Sequence, residues 1–148
     1  IEAKNSTTDW HSIFTGTTSQ DGTVKVVGKF GTNSSFRLVS DGTWERMPST
    51  STQQDIKVSR LISWSAPSSM KAGVAYVIKG QVQPKAANVN VAITIDGKVV
   101  GTATTDVNGL FSQSISYDKI GIASLKLSIA GDQSFSDSTT TPAQVLIR

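Results

Sequence analysis

The sequence contains no cysteine, and its 148 residues include one histidine, 17% charged residues and 7% aromatic residues. Without cysteine the chain can form no disulfide, no thiolate metal site and no cysteine nucleophile. No apolar run reaches the roughly 18 residues that a membrane-spanning helix requires, and the opening segment IEAKNSTTDW lacks the pattern of a signal peptide. These absences exclude enzymes with a cysteine nucleophile, thiolate metal proteins and proteins that cross a membrane with a helix.

Positive charge is in slight excess but is not concentrated in any segment. The 14 Lys and Arg residues exceed the 11 Asp and Glu residues by a net charge of +3, and they stand singly along the chain. Because nucleic acids are bound by clustered cations, no nucleic-acid partner is expected. The composition, 37% hydrophobic with abundant Ser, Thr and Gly, is typical of a globular all-β protein.

The second half of the chain alternates between apolar and polar residues, as half-buried strands do. Residues 89–95 and 125–129 show this alternation most clearly, and GVAYVIKGQV is expected to place Val74, Tyr76 and Ile78 on one face. Turn residues separate these segments at the spacing found in β-sandwiches. About seven short strands are therefore predicted between residues 60 and 148.

One hairpin can be predicted in register. Asp96-Gly97 lies between two apolar segments and fits a two-residue type I′ turn. An unbroken ladder from this turn would pair Ile95 with Lys98, Ile93 with Val100, and Val91 with Thr102.

Two similar stretches, TGTTSQDG at 15–22 and TATTDVNG at 102–109, indicate an internal repeat. Aligning them superposes Gly22 on Gly109 and Val24 on Phe111. The order is kept downstream with small gaps, which align Phe36 with Leu127, Leu38 with Ile129, Trp44 with Phe135, and Ile56 with Val145. We interpret the two stretches as the same hairpin in two copies of one domain.

The repeat predicts two domains, residues 1–59 and 60–148, of which the first lacks two strands. Only IEAKNSTTDWHS precedes the repeated turn region in the first copy, so that copy is expected to be truncated at its N-terminus. Either Ile1 marks a cleavage point in a longer protein or this domain completes its sheet in another way. Since an open sandwich exposes strand edges, we expect a strand from a second chain, or partial disorder.

Three segments resemble the Ig-like repeats found in tandem in secreted and surface proteins of Gram-positive bacteria, especially actinobacteria: SWSAPSSMKAGVAYVIKGQVQP, GTATTDVNGLFSQSIS and SIAGDQSFSDSTTTPAQVLI. The resemblance covers nearly all of residues 60–148 and, through the repeat, residues 10–58. It implies an all-β fold of tandem Ig-like antiparallel β-sandwiches in an extracellular protein. It also implies a non-catalytic spacer, stalk or accessory module, with no catalytic residue and no cofactor.

Few residues offer catalytic or metal chemistry. Asp9 and His11 would share one face of a strand, but a triad also needs a positioned serine, so an ordinary surface histidine is the better interpretation. Glu2 and Glu45 do not form a convincing pair for glycoside hydrolysis. DVNG at 106–109 begins like a calcium loop but lacks the closing acidic residue, so turn chemistry explains it. The chain is therefore not expected to be an enzyme or to bind a metal.

The tryptophans give the strongest indication of a ligand. Trp64 is in phase with Ile62 and is expected to pack in a core or between domains. Trp44 aligns with Phe135, and an aromatic at one place in both copies favours a plug at the end of the sandwich. Exposed tryptophans can also stack on sugar rings, so a carbohydrate- or cell-wall-binding module using Trp10 and Trp44 is the alternative function.

The connection between the two copies favours the spacer. QDIKVSR runs into LISWSAP without a flexible Gly-rich or Pro-rich linker. Domains joined in this way do not reorient freely.

Overall fold

The computed structural model describes residues 1–148, and the chain consists of strands, turns and loops. None of its elements is a helix that could cross a membrane. The strands are β1 (Glu2–Asn5), β2 (Thr8–Ser12), β3 (Ser34–Arg37), β4 (Val39–Ser40), β5 (Ser49–Thr50), β6 (Gln54–Ile56), β7 (Leu61–Trp64), β8 (Ser69–Met70), β9 (Tyr76–Gln83), β10 (Asn90–Ile95), β11 (Lys98–Thr104), β12 (Leu110–Ile115), β13 (Gly121–Ile129), β14 (Ser138–Thr139) and β15 (Ala143–Ile147). The predicted all-β class is confirmed.

The chain forms two compact units. Unit 1 consists of Ile1–Val58 with Asp132–Ser136, and unit 2 consists of Ser59–Gly131 with Asp137–Arg148. The interpretation of residues 1–59 and 60–148 as tandem domains stays a prediction.

Unit 2 is a β-sandwich with Ig-like strand order. One sheet has the order β12-β9-β7, and the other has the order β11-β10-β13-β15-β8, with β14 paired to β13. All pairs are antiparallel except β15 with β8. Since β9 and β10 lie in different sheets, as do β11 and β12, the chain crosses repeatedly between the layers, as in immunoglobulin-like domains.

The core of unit 2 is one cluster of alternate residues from both sheets. The six-stranded sheet contributes Val91, Ile93, Ile95, Leu125, Leu127, Val145 and Ile147, and the three-stranded sheet contributes Ile78, Val82, Phe111 and Ile115. The alternation predicted for residues 89–95 and 125–129 is confirmed: Val89 is partly buried against the cluster, and the others are buried. Burial of such side chains is the main stabilising contribution in a domain of this kind.

The predicted pairing at the start of the β10–β11 hairpin is confirmed. Asp96 and Gly97 have φ angles of 50° and 80°, as a type I′ turn requires, and Ile95 pairs with Lys98.

Beyond the turn, the predicted register is wrong because β11 contains a β-bulge at Val100. Ile93 pairs with Gly101 instead of Val100, and Val91 pairs with Ala103 instead of Thr102. The extra residue exchanges the two faces of β11. As a result Ala103 is buried against the core, and the polar Thr102 is exposed.

The predicted strand phase around residue 76 is only partly correct. Ile78 is buried as expected, but Tyr76 and Val74 are exposed. Because β9 begins at Tyr76, Val74 lies in the preceding turn, where its N–H donates to the carbonyl of Lys71.

The stretch TATTDVNG is not a hairpin, since β11 and β12 belong to different sheets. Its turn carries the chain from one layer to the other, with Gly109 N–H donating to the Asp106 carbonyl over 2.9 Å. The aligned turn in unit 1 has the same bond, from Gly22 N–H to the Ser19 carbonyl over 2.9 Å. The φ angles of the glycines are 79° at Gly22 and 73° at Gly109, so the two stretches share a turn but not a hairpin.

Unit 1 contains a four-stranded sheet of order β2-β1-β3-β6 and a separate pair, β4 with β5. Residues 13–33 form no strand. Ala3 and Phe135 are the buried hydrophobic residues of this unit. Completion by a strand from a second chain, or partial disorder, stays a prediction.

The four-stranded sheet of unit 1 has the same construction as β11-β10-β13-β15 in unit 2. The β1–β2 hairpin also turns through two residues, since Asn5 pairs with Thr8. Its register shifts between Ala3 and Asn5, so that Asp9 and Trp10 both oppose Lys4 in a β-bulge. The bulge of unit 2 is equivalent, since Val99 and Val100 both oppose Thr94. Ala3 pairs with Phe36 as Ile93 pairs with Leu127. The four strands of this sheet therefore follow the order of four of the six strands in the larger sheet of unit 2.

Candidate functional site

Trp10 lies at the bulge of β2, where its ring is held by two cations. The guanidinium carbon of Arg37 is 4.3 Å and the Lys4 ammonium is 4.9 Å from the ring centroid. Arg37 also donates from Nε and Nη2 to one oxygen of Glu2, over 2.8 and 2.7 Å. These cation–π contacts make Trp10 part of a cross-strand cluster, in which a sugar would meet cations as well as an aromatic ring.

Trp44 occupies the turn between β4 and β5 and is 93% exposed. Two backbone bonds between Thr43 and Arg46 close this turn, so the indole is presented at its tip. The interpretation of Trp44 as a plug is wrong. Its aligned partner Phe135 is 8% exposed, and the N–H of Phe135 donates to the Asp132 carboxylate over 2.8 Å.

A polar groove of about 260 Å³ lies on unit 1. Asp55 in this groove accepts hydrogen bonds from Ser35 Oγ and Gln53 Nε2, each over 2.7 Å. The Ser35 hydroxyl, and then the Gln53 amide, lower the pKa of Asp55. The groove offers charged and hydroxyl groups to a polar ligand, and no sequence motif marked it because isolated polar residues in strands are common.

The residues considered for catalysis do not form a catalytic group. His11 Nδ1 lies 2.9 Å from the backbone oxygen of Asp9, and no bond joins it to the Asp9 carboxylate. Glu2 is engaged by Arg37, while Glu45 donates its N–H to a threonine hydroxyl in the turn that carries Trp44. No cluster of three or more potential metal-ligating side chains is present.

The aspartate of DVNG serves the turn. Asp106 Oδ1 accepts the N–H of Asn108 over 2.8 Å and the N–H of Leu110 over 2.9 Å. This is the turn chemistry predicted for the segment.

Trp64 packs on the core of unit 2 together with Ile62. Both residues are partly buried in β7, which confirms that the tryptophan has a packing role.

Asp96 connects the β10–β11 turn to neighbouring elements. Its Oδ1 accepts the N–H of Ser124 over 2.8 Å, and its Oδ2 accepts the hydroxyl of Tyr117 over 3.0 Å. The Ser124 N–H and then the Tyr117 hydroxyl lower the pKa of Asp96, while the same Tyr117 bond raises the pKa of the phenol. Asp96 therefore stabilises unit 2 as a carboxylate.

Acid is expected to weaken unit 2 partly through Asp96. Because the pKa of Asp96 is lower in the folded chain than its ordinary value of 3.8, its contribution is full above that pH and is lost as the pH falls further. Denaturant unfolding of unit 2 is measured from neutral to strongly acidic pH. Between these limits Asp96→Asn should lose less of its free energy of unfolding than the native chain does. The exposed Asp118→Asn serves as control, and equal acid losses in the native chain and Asp96→Asn would contradict this assignment.

No protein-family model matches the chain, and no curated protein matches it. Among solved structures, the chain is similar to the fibronectin(III)-like modules of Clostridium thermocellum CbhA. The two are 15% identical with a TM-score of 0.43, and the match covers 99% of this chain and 75% of that chain.

Proposed function

We propose that this chain is a non-catalytic extracellular Ig-like spacer or accessory module of a larger secreted or cell-surface protein, of the type found in Gram-positive bacteria. The supporting observation is that three aspartate carboxylates of unit 2 accept hydrogen bonds from backbone N–H groups and so stabilise its turns and loops. Asp96 accepts the N–H of Ser124, Asp106 accepts two turn N–H groups, and Asp137 accepts the N–H of Gly131. Carboxylates bound in this way stabilise loops and do not converge on a substrate.

The sequence of residues 57–60, where the chain first passes from unit 1 to unit 2, also supports a spacer. These residues, between β6 and β7, include neither glycine nor proline. A segment of this composition is less flexible than a Gly-rich linker, which suits a chain that projects other domains from a surface.

Binding of a polysaccharide or cell-wall glycan is the second candidate function. The observation that favours it is the exposure of Trp44, accompanied in the same loop by the exposed Met47. An aromatic ring presented to solvent at the tip of a turn can be covered by a sugar ring. Trp10 would act differently, since Lys4 and Arg37 already contact its ring.

Retention on insoluble glycans separates the two functions. The full chain, Trp44→Ala and Trp10→Ala are passed over cellulose, chitin and peptidoglycan, and tryptophan fluorescence is recorded with soluble fragments of each. A spacer shows neither retention nor a spectral change. A binding module shows both, and Trp44→Ala loses them. Val27→Ala removes another highly exposed apolar side chain of unit 1 and should behave like the native chain.

A further inference from the structure

Glycine follows an aspartate or asparagine at four places in the chain: 21–22, 41–42, 96–97 and 108–109. In such a pair the backbone nitrogen of the glycine can reach the side-chain carbonyl carbon of the preceding residue, and its attack closes a five-membered imide ring. Because glycine has no Cβ, no side chain of its own hinders the approach. Each pair is therefore a place where the backbone could rearrange without an enzyme.

Three of the four pairs contain aspartate, and an ionised carboxylate resists attack because it has no good leaving group. Hydrogen bonds to their side-chain oxygens also hold Asp21 and Asp96 in place. The Thr23 N–H lowers the pKa of Asp21, and the Ser124 N–H lowers the pKa of Asp96, so both carboxyl groups stay ionised at neutral pH. The aspartate pairs are therefore expected to be stable at neutral and alkaline pH.

Asn108 is the only asparagine that precedes a glycine. The residue is exposed, and its side chain forms no hydrogen bond within the chain. By contrast, the side-chain oxygens of Asn5, Asn33 and Asn90 accept hydrogen bonds, and each of these residues is followed by serine or valine. The nitrogen of an amide can also leave as ammonia. Residues 108–109 therefore form the most reactive of the four pairs.

The backbone bonds around Gly109 determine how the reaction begins. Its N–H donates to the Asp106 carbonyl over 2.9 Å, and the Asp106 carboxylate accepts the N–H groups of Asn108 and Leu110. The glycine nitrogen has to leave its hydrogen bond before it can attack, so the turn must open locally. The Gly109 carbonyl accepts the N–H of Val82, and opening of the turn tip leaves this bond to β9 in place.

We propose that residues 108–109 are a self-modifying site, at which Asn108 deamidates through an imide, and that the isoaspartate formed loosens β12 from β9. In the first step the Gly109 nitrogen gives its proton to hydroxide and bonds to Cγ of Asn108. The bond from Cγ to Nδ2 breaks, and the nitrogen leaves as ammonia with a proton from water. Water then adds to one of the two ring carbonyls and the ring C–N bond breaks, which gives aspartate or isoaspartate. This site is independent of the spacer role and of glycan binding, since water and hydroxide are the only other reactants.

Isoaspartate would not fit the turn, because it adds a methylene group to the main chain between residues 108 and 109. Gly109 is buried, and even a Cβ there would lie 2.5 Å from the Val82 oxygen and 3.2 Å from Lys85 Cα. The first bonds lost should be those from the turn to β9, which run from the Val82 N–H to the Gly109 carbonyl and from Gln81 Nε2 to the Asn108 carbonyl. Ordinary aspartate leaves the main chain unchanged and should be tolerated, because Asn108 is exposed.

The reaction is followed in the full chain over several weeks at physiological temperature and mildly alkaline pH. Peptide mapping by mass spectrometry locates the conversion of amide to acid, and an isoaspartyl methyltransferase identifies isoaspartate. We expect conversion at Asn108 to a mixture of isoaspartate and aspartate, with the other asparagines unchanged. A synthetic peptide of residues 104–112 is the positive control and should react faster, because it has no folded turn to open.

Variants of the turn test how the reaction starts. Asn108→Gln should stop it, because the longer side chain would have to close a six-membered ring, which forms far more slowly. Asp106→Ala should raise the rate by about threefold or more, since the lost hydrogen bonds shift the local opening equilibrium by about that factor. Asp106→Asn keeps an acceptor oxygen without the charge and should react at nearly the native rate. These two variants separate the effect of the hydrogen bonds from that of the negative charge.

Amide hydrogen exchange tests the consequence for unit 2. The isoaspartate form, separated by ion exchange, should lose protection at residues 81–83 and 110–112 by about fivefold or more, which corresponds to at least one lost hydrogen bond. Asn108→Asp is the matched control, because it carries the same added charge on an unaltered main chain. It should keep the protection of the native chain.

Three results would overturn the inference. The first is a folded chain in which Asn108 stays intact under conditions that convert the peptide. The second is conversion to aspartate alone, which would show direct hydrolysis of the amide without an imide. The third is an isoaspartate form whose β9 and β12 amides are protected as in the native chain.

Discussion

Ile93→Ala is expected to lower the free energy of unfolding of unit 2 by about 2–5 kcal/mol. Small domains have roughly 5–15 kcal/mol of stability in total, so this single substitution removes a large fraction of it. The thermal midpoint of unit 2 should fall by about 8 °C or more, since each kcal/mol corresponds to roughly 4–8 °C in a domain of this size.

The position of Ile93 explains the size of the effect. Its side chain is 0% exposed, and its strand lies between β11 and β13, paired at this residue with Gly101 and Leu127. Shortening it to alanine loses the transfer free energy of the removed carbons. It also leaves a cavity, because Gly101 on one side has no side chain that could fill the space.

Asn90→Ala is the matched control in the same strand. Asn90 is exposed, and its side-chain oxygen accepts a hydrogen bond from the Thr104 hydroxyl over 3.2 Å. Loss of this exposed bond should change stability by about 0.5 kcal/mol or less. Protection of β13 amides against hydrogen exchange reports on unit 2 alone. A larger effect for Asn90→Ala than for Ile93→Ala would mean that the inward and outward faces of β10 are exchanged.

Periodicity in the sequence was sufficient to predict the core of unit 2. Val91, Ile93 and Ile95 alternate with smaller or polar residues, and a strand with one buried face requires that pattern. The type I′ turn was also predictable, because Asp96-Gly97 supplies the two residues that tolerate positive φ.

The bulge in β11 could not be predicted from the same pattern. Val99 and Val100 are both apolar, so either could face the core, and hydrophobicity does not decide between them. Residues further along the strand determine which face of β11 is buried, because the bulge places Ala103 against the core opposite Val91 and leaves Thr102 exposed. Register in such a strand depends on packing several residues away.

The turn at residues 106–109 shows a second limit. An Asx-Gly turn reverses the chain whether the next strand joins the same sheet or the opposite one, and only the pairing of β12 with β9 makes the difference.

The candidate site shows the same dependence on neighbouring strands. Sequence identified Trp10 and Trp44 as notable, but cross-strand neighbours place Lys4 and Arg37 against one ring and leave the other exposed.

The two units therefore differ in the strands that surround a shared turn. Each unit contains the same sheet order and the same glycine turn, yet only in unit 2 is the turn covered by another strand. Alanine substitutions at the turn glycines of unit 2 measure the effect of this neighbouring strand. Each substitution introduces the backbone strain of a positive φ, but only at Gly109 does the added Cβ also meet another strand.

Gly109→Ala is expected to destabilise unit 2 by more than Gly97→Ala, by roughly a further 1–3 kcal/mol. Both glycines have positive φ, 73° and 80°, so alanine is strained by about 1–2 kcal/mol at either position. A Cβ at Gly97 meets nothing within 4 Å, whereas at Gly109 it lies 2.5 Å from the Val82 oxygen and 3.2 Å from Lys85 Cα. The overlap cannot be relieved by a side-chain rotation, because both atoms belong to the backbone.

The turn is also fixed from the other side, since Val82 N–H donates to the Gly109 carbonyl. Moving the turn away from β9 would lengthen that bond, so relief of the overlap itself costs stability. Denaturant unfolding monitored through β13 amides should rank the native chain above Gly97→Ala and Gly97→Ala above Gly109→Ala. Equal losses at the two glycines would show that the turn moves freely away from Val82, and that the close approach of β9 to Gly109 does not restrict the residue at this position.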